Sequence, residues 1–358
     1  MDEEFKEMIE LKTLKWFPFI GNKYFDGDII DNRMLIVGES HYNDGTEESI
    51  LKVNDEDWTI DMIEQDAMGF DPWPTKIMPN FHKAMFREDE FSKEDFWNLV
   101  SYYNFIQRPM HTIKDRPSAE DFIKGWNSFF DLIKITKPKI CLFIGVSASN
   151  YLMSAIQGSG FECKEILYGE EINKATGRNV ILKDTENNNE IKLIFIRHTS
   201  MFFSWTKWNG YLKNEMKSQI VWFENKLKIE TKSDEYYNQF DDKLKQKLSD
   251  IHTLIDKEKI NKELESVNGK VEFNAPSKSG KDSDSFKYKI SINDITLFYE
   301  VVMDNCDFES YYYGVKNKQI DKLEKIKSWY TYYDNGIVES IAQKVTNDII
   351  EIIHTLKE

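Results

Sequence analysis

The chain has 358 residues, of which 41% are hydrophobic and 30% are charged, and its formal net charge is −15 at pH 7. This length exceeds what one ordinary hydrophobic core organises and predicts two domains, and the negative charge argues against non-specific coating of nucleic acid, which relies on lysine and arginine. No run approaches the roughly 20 apolar residues of a membrane helix, and the N-terminus is acidic, so we expect a cytoplasmic protein with no membrane partner.

The cysteines argue against a metal centre or a disulfide framework. Cys141, Cys163 and Cys306 are far apart and form no closely spaced pair. A tetrahedral cysteine site and a disulfide framework both need such spacings. The histidines and carboxylates show no convincing ligand spacing either, so the sequence implies no metal and no cofactor.

The first element that bears on function is a short apolar strand, MLIVGES, at Met34–Ser40. Buried parallel strands have this form, and glycine commonly leads such a strand into a loop. The residues at its end are Gly38, Glu39, Ser40, His41 and Tyr42. Glu39 is the carboxylate nearest to the end of the strand.

Two more apolar strands are predicted later in the chain. KICLFIGVSAS begins at Lys139 and leads to Ser147, and IKLIFIRHTS covers Ile191–Ser200. A segment with helical apolar spacing precedes the first of them and ends before Pro138. Strand, helix, strand order predicts a parallel sheet, and ligands bind such sheets at the carboxyl ends of the strands. We therefore expect the polar ends of all three strands to meet in one crevice.

The last strand ends in Arg197, His198, Thr199 and Ser200, and an aromatic stretch follows it. This stretch contains Met201, Phe202, Phe203, Trp205, Trp208 and Tyr211, together with Lys207 and Lys213. Such a mixture is expected where bases stack beside phosphate contacts. Packing of the aromatic side chains in the core is the second interpretation, because most aromatic clusters are core.

The composition changes after about residue 225. Residues 233–266 have the pattern of one long, charged amphipathic helix, and strand-like alternation follows over 271–304. We therefore predict an α/β domain over residues 1–228 and a smaller α+β accessory domain over residues 229–358. The accessory domain is expected to serve targeting, DNA binding or oligomerisation, with a homo-oligomer as the corresponding partner.

The order of these motifs resembles the uracil-DNA glycosylase superfamily. A strand followed by Gly-Glu-Ser-His-Tyr and, much later, a strand followed by His-Thr-Ser are similar to the family's GQDPY-like or GEAPG-like first motif and its HPS-like last motif. Between them, Asn104 in FWNLVSYYNFIQRP has the place in chain order of the family's base-reading asparagine. The resemblance covers approximately residues 30–215. It implies a three-layer α/β sandwich with a central, mostly parallel sheet.

The resemblance also implies a function, the hydrolysis of the N-glycosidic bond of a damaged or modified base that is flipped out of single- or double-stranded DNA, in repair or phage defence. His198 would donate a hydrogen bond to the departing base, and Asn104 would read the edge of the base. Glu39 would orient the attacking water or balance the charge on the sugar, with Ser40 and His41 in the same loop. Further substrate contacts would come from Gly38, Tyr42, Ser147, Thr199, Ser200, Met201 or Phe202 as a wedge, and Arg197 at the DNA backbone.

Departures from the family pattern leave other functions open. Ser40 stands where one branch has its water-activating Asp, His41 replaces the Pro, and the cysteines that ligate an iron-sulfur cluster in the other branch are missing. A catalytically silent module that binds nucleic acid or a nucleotide is one alternative. The first motif also resembles that of erythromycin-esterase-like hydrolases, in which Glu39 and His41, with Glu47 or Glu48, would act on an ester.

Overall fold

The computed structural model describes residues 11–43, 45–70, 75–88, 90–111, 115–172, 175–200, 203–230, 245–279, 283–292, 295–304, 307–314, 330–333 and 338–357. The chain divides into two compact units, Met1–Thr231 and Lys232–Glu358. The boundary predicted from composition, after residue 228, lies close to this division. No helix in the described part of the chain has the length and apolar character needed to cross a membrane.

The first unit is built on an eight-stranded sheet with the order β1-β3-β2-β4-β8-β7-β5, in which β6 also pairs with β7. The strands are β1 Phe19–Ile20, β2 Met34–Gly38, β3 Ser101–Asn104, β4 Ile140–Ile144, β5 Phe161–Glu162, β6 Leu167–Ile172, β7 Ala175–Asp184 and β8 Glu190–Ile196. The four central strands, β3, β2, β4 and β8, are parallel, and the flanking strands pair antiparallel. The predicted α/β architecture with a mostly parallel central sheet is confirmed at this level.

Helices connect and cover the strands of this sheet. They are α1 Glu47–Lys52, α2 Trp58–Met62, α3 Ile77–Phe86, α4 Lys93–Trp97, α5 Ala119–Thr136, α6 Leu152–Ala155, α7 Trp205–Glu215 and α8 Lys217–Leu227. A π-helical turn, Ile63–Ala67, continues α2, and a 3-10 turn, Ser147–Tyr151, follows β4. Such π turns occur frequently at functional sites.

Both faces of the parallel centre are buried, and β2 and β4, its two middle strands, have no polar side chain. On one face, Val37 belongs to a core cluster that includes Trp126 and Phe129 of α5. On the other face, Ile36 pairs in register with Tyr102, whose ring packs edge-on against Trp97 of α4. Helices therefore cover both sides of the sheet.

Helix α5 forms where the sequence predicts it. Ser118 accepts a hydrogen bond from the backbone N–H of Asp121, and the Asp121 side chain accepts one from the backbone N–H of Ser118 in return, which is a capping box. The helix ends at Thr136, and its C-cap, Lys137, adopts a left-handed conformation just before Pro138. Both ends are thus set by residues next to the helix.

The aromatic residues after His198 are core residues where the structure describes them. Phe203, Trp205, Trp208 and Tyr211 are all buried, and the Phe203 and Trp208 rings stack at 6.0 Å. The core interpretation is confirmed for these four residues, and their expected role in base stacking is wrong. Met201 and Phe202, the predicted wedge residues, lie outside the described residues.

The second unit contains a five-stranded antiparallel sheet with the order β13-β12-β11-β10-β9. The strands are β9 Lys270–Ser279, β10 Ser283–Ile292, β11 Ile295–Asp304, β12 Asp307–Gly314 and β13 Tyr330–Tyr333, and the helices are 245–254, α9 Lys257–Glu265 and α10 Val338–Lys357. Buried residues of the helices and of β10 and β11 form one apolar core. The predicted single long helix is wrong. The helix at 245–254 ends before Ile255, and Asp256 is the N-cap of a separate helix, α9.

Candidate functional site

The carboxyl ends of the four central strands lie at one edge of the sheet. Gly38 pairs with Asn104, and Ile144 pairs with Ile196, so the segments that follow leave the sheet side by side. The loop after β2 stays beside the segment after β3, because the backbone N–H of Ile106 donates to the carbonyl of Glu39 at 2.8 Å. The polar residues of the separate motifs are therefore carried to one edge, as the strand pattern predicts.

His198 is held in a defined tautomer by the loop that follows it. The backbone N–H of Ser200 donates to Nδ1 of His198 at 3.3 Å, and Oγ of Ser200 lies 2.9 Å from the same nitrogen. A ring nitrogen that accepts this bond carries no hydrogen, so the neutral ring carries its proton on Nε2. Burial, together with the positive charges of Arg116 and Arg197, lowers the pKa of His198 to about 4. At neutral pH, His198 is an uncharged donor through Nε2.

The His198 loop is anchored by Asn80 of helix α3. Nδ2 of Asn80 donates to the carbonyl of Thr199 at 2.9 Å and to that of Ser200 at 3.4 Å. Thr199 is fully buried, and its Oγ1 has no hydrogen-bond partner among the described residues. Asn80 thus fixes the backbone that in turn orients His198.

Glu39 and His198 share the influence of one cation, Arg116. Burial raises the pKa of Glu39, and the charge of Arg116 opposes that rise. The same guanidinium lowers the pKa of His198. The Arg116 guanidinium therefore lies within electrostatic range of both side chains. Arg116 lies in a loop outside every motif, so its influence is not apparent from the sequence.

Asn104 is buried and engaged by a neighbour on its own strand. The Tyr102 hydroxyl donates to Oδ1 of Asn104 at 3.0 Å. Gly38 lies beside this pair, and a Cβ there would collide with both the hydroxyl and Oδ1. Burial raises the pKa of Tyr102, and the negative charge of Asp66, which lies in the π-helical turn, adds to that rise. Tyr102 and Asp66 were missed, although Tyr102 lies two residues before Asn104 and so on the same face.

His41 is placed in a different environment from His198. It is 6% exposed, its Nε2 lies 2.8 Å from Oγ1 of Thr59, and its ring packs edge-on against Trp16 at 4.7 Å. Burial lowers the pKa of His41 to about 3. These contacts are those of a structural histidine, and they argue against the catalytic role expected of His41.

The remaining predicted residues differ in how far they are available to a substrate. Ser40 has a buried Oγ that finds no partner within the described part of the chain. Tyr42 is half-buried and bridges to Met110, Ser147 is exposed at the start of its 3-10 turn, and Arg197 is half-buried next to His198. The Ser40 hydroxyl is the one in this group that a bound ligand could complete.

Among the described residues, no group of three or more His, Cys, Asp or Glu side chains could hold a metal ion. No protein-family model matches the sequence, and no curated protein matches it either. Chemically, the site combines an uncharged imidazole donor, a carboxyl group of raised pKa, a cation and an oriented amide. These groups suit recognition of a polar ring and stabilisation of a developing anion.

Proposed function

We propose that the first unit is a divergent DNA glycosylase of the uracil-DNA glycosylase type, which hydrolyses the N-glycosidic bond of a damaged or modified base. The observation that carries this proposal is the fixed tautomer of His198, whose Nδ1 accepts from the Ser200 N–H. A base that leaves with the bonding electron pair becomes an anion. A neutral, oriented N–H donor stabilises that anion without first losing a solvation shell.

The other groups take complementary roles in the proposed reaction. The bond between the base and the sugar C1′ breaks, the base takes the electron pair, and the oxygen of water bonds to C1′. Glu39 balances the positive charge on the sugar and accepts the proton of the attacking water. Asn104 contacts the base edge, and Arg116 contributes positive charge on the side of the departing base.

The test is an abasic-site assay on single-stranded and duplex DNA that contains uracil, deaminated purines or phage-type modified bases. We expect His198→Ala and Glu39→Ala to lower the rate by about 100-fold or more, as loss of a transition-state contact does. His354→Ala and Glu48→Ala are controls, because each side chain has a partner of its own, Glu263 or Lys52, and neither has a role in the proposed reaction. Equal rates in all four variants would contradict the proposal.

A silent base- or nucleotide-binding module is the second candidate. It is favoured by Ser40, which offers a hydroxyl where a carboxylate would activate water, and by the engagement of His41 with Thr59. The engagement of His41 also counts against an esterase that uses Glu39 and His41 together. Binding of a base without abasic sites, unchanged in Glu39→Ala, would favour the silent module.

DNA as the partner, action in repair or phage defence, and a cytoplasmic location belong to the same proposal. The second unit is proposed to serve targeting or oligomerisation. The locally basic stretch at residues 192–217 supports DNA binding by a chain that is acidic as a whole. Phosphate contacts from such a stretch would make binding weaken as salt rises.

A further inference from the structure

The orientation of the Asn104 amide decides which base edge this site can recognise. An amide side chain offers an acceptor oxygen at one end and two N–H donors at the other. In this protein the oxygen is already engaged, because the Tyr102 hydroxyl donates to Oδ1 at 3.0 Å. With Oδ1 turned toward Tyr102, the donor end, Nδ2, is the end of the amide that is directed away from that hydroxyl.

Several contacts keep Tyr102 in the role of donor. Burial and the negative charge of Asp66 raise the pKa of Tyr102, so the phenol keeps its proton. Its ring is packed edge-on against Trp97, with centroids 6.0 Å apart. Gly38 provides the space for the hydroxyl and Oδ1 to meet, since any Cβ there would collide with both.

We propose that Tyr102 determines the base specificity of the site, by holding Oδ1 of Asn104 so that only Nδ2 faces the base edge. This inference rests on the proposed function. Nε2 of His198 is also a donor, so N–H groups come from the end of β3 and from the loop after β8. A base with an exocyclic carbonyl oxygen offers these donors an acceptor, whereas an exocyclic amine at the same position sets donor against donor.

The experiment measures the selection between bases that exchange an exocyclic carbonyl for an exocyclic amine, a change that also removes the hydrogen of the adjacent ring nitrogen. Each probe is a single-stranded oligonucleotide in which one position carries a base and every other position is abasic. The bases compared are uracil with cytosine, and hypoxanthine with adenine. We expect the wild type to bind the oxo base of each pair about tenfold or more tightly, the cost of an unpaired buried donor. Tyr102→Phe keeps the ring and removes the hydroxyl, and we expect it to reduce that ratio by about tenfold because the amide can then turn over.

Tyr103→Phe is the matched control. Tyr103 is the next residue, is equally buried, and belongs to the core cluster on the other face of the sheet. Its hydroxyl has no hydrogen-bond partner within the described residues, so its removal breaks no such contact there. We expect the binding ratio to stay at the wild-type value in Tyr103→Phe, while both variants keep a cooperative melting transition.

The outcomes separate this inference from the proposed function. If the wild type prefers oxo bases and Tyr102→Phe has the same binding ratio, the inference is overturned and the proposed function is not. A wild type that prefers amino bases has the same consequence. A wild type that neither binds nor cleaves any probe overturns the proposed function as well. If Tyr102→Phe fails to fold, neutron diffraction of the wild type decides: deuterium on the Tyr102 oxygen directed at Oδ1 supports the inference, and Nδ2 directed at that oxygen overturns it.

Discussion

The buried histidines of the first unit are stable only in their uncharged form. His41 bonds to Thr59, and Nε2 of His82 accepts a hydrogen bond from the indole N–H of Trp97 at 3.2 Å. Burial lowers the pKa of each histidine to about 3. Between about pH 6.5 and pH 3, the unfolded chain therefore binds protons at these positions that the folded chain does not.

The stability of the first unit should consequently fall as the pH falls from about 6.5. The stability that each neutral histidine contributes is fully present at a pH above its pKa in the unfolded chain. It is lost as the pH falls from that pKa toward the pKa in the folded protein. At pH 5, His82 alone should cost about 2 kcal/mol relative to pH 7. Denaturant unfolding at both pH values checks this, and His82→Gln, which keeps an acceptor for Trp97, should show a shallower pH dependence. An equal pH dependence in the variant would contradict the assignment.

At the scale of secondary-structure elements, helix α3 and the loop that carries His198 are joined by hydrogen bonds. Asn80 joins them through the carbonyls of Thr199 and Ser200, so the position of His198 depends on a helix more than a hundred residues earlier in the chain. Loops placed by rigid elements commonly carry functional residues. The precision of this site therefore depends on the packing of α3.

Asn80→Ala should loosen this loop and lower the free energy of unfolding by about 1 to 2 kcal/mol, the cost of a lost buried hydrogen bond. Asn80→Asp should be more damaging, because a carboxylate would face two carbonyl oxygens. Thermal melting and base binding measure the two effects. Asn54→Ala is the control, since its Nδ2 also donates to a carbonyl, at Ile50, but on the exposed surface. Equal losses in Asn80→Ala and Asn54→Ala would show that the anchor is unimportant.

Local patterns predict the strands and their ends well, because short apolar runs with polar ends are read directly from neighbouring residues. Gly38 and His198 were found in this way, whereas Asn104 was named from its place in chain order between the two motifs, and the strand that carries it was not predicted. Arg116 and Asp66 were not found, because they act on Glu39 and Tyr102 only after distant parts of the chain have folded together. His41 was misassigned for the same reason: the motif gives no sign that Trp16 and Thr59 close around it.

The whole chain is organised as two units with separate cores. The core of the second unit is formed by its own helices and strands, and the first unit contains the complete eight-stranded sheet. The composition change in the sequence predicts this division. The break before Asp256 was missed because a charged amphipathic pattern continues through it, and only the capping bond to the Lys259 N–H marks a new helix.

A chain that ends at Thr231 should therefore fold and keep the base preference of the full-length protein. We expect weaker affinity for long DNA, because the second unit is proposed to contribute targeting. Melting of the truncated chain, and its binding to short and long oligonucleotides, measure the two effects. Loss of solubility on truncation would contradict the separation into two units.

The space beside Gly38 has a consequence for how this protein can diverge. Any residue other than glycine there must displace the Tyr102 hydroxyl and Oδ1 of Asn104 together. In evolutionary terms, the three positions are expected to change as a set. Relatives that keep Gly, Tyr and Asn at these places should share one base preference, whereas relatives with Phe in place of Tyr102 should have relaxed it.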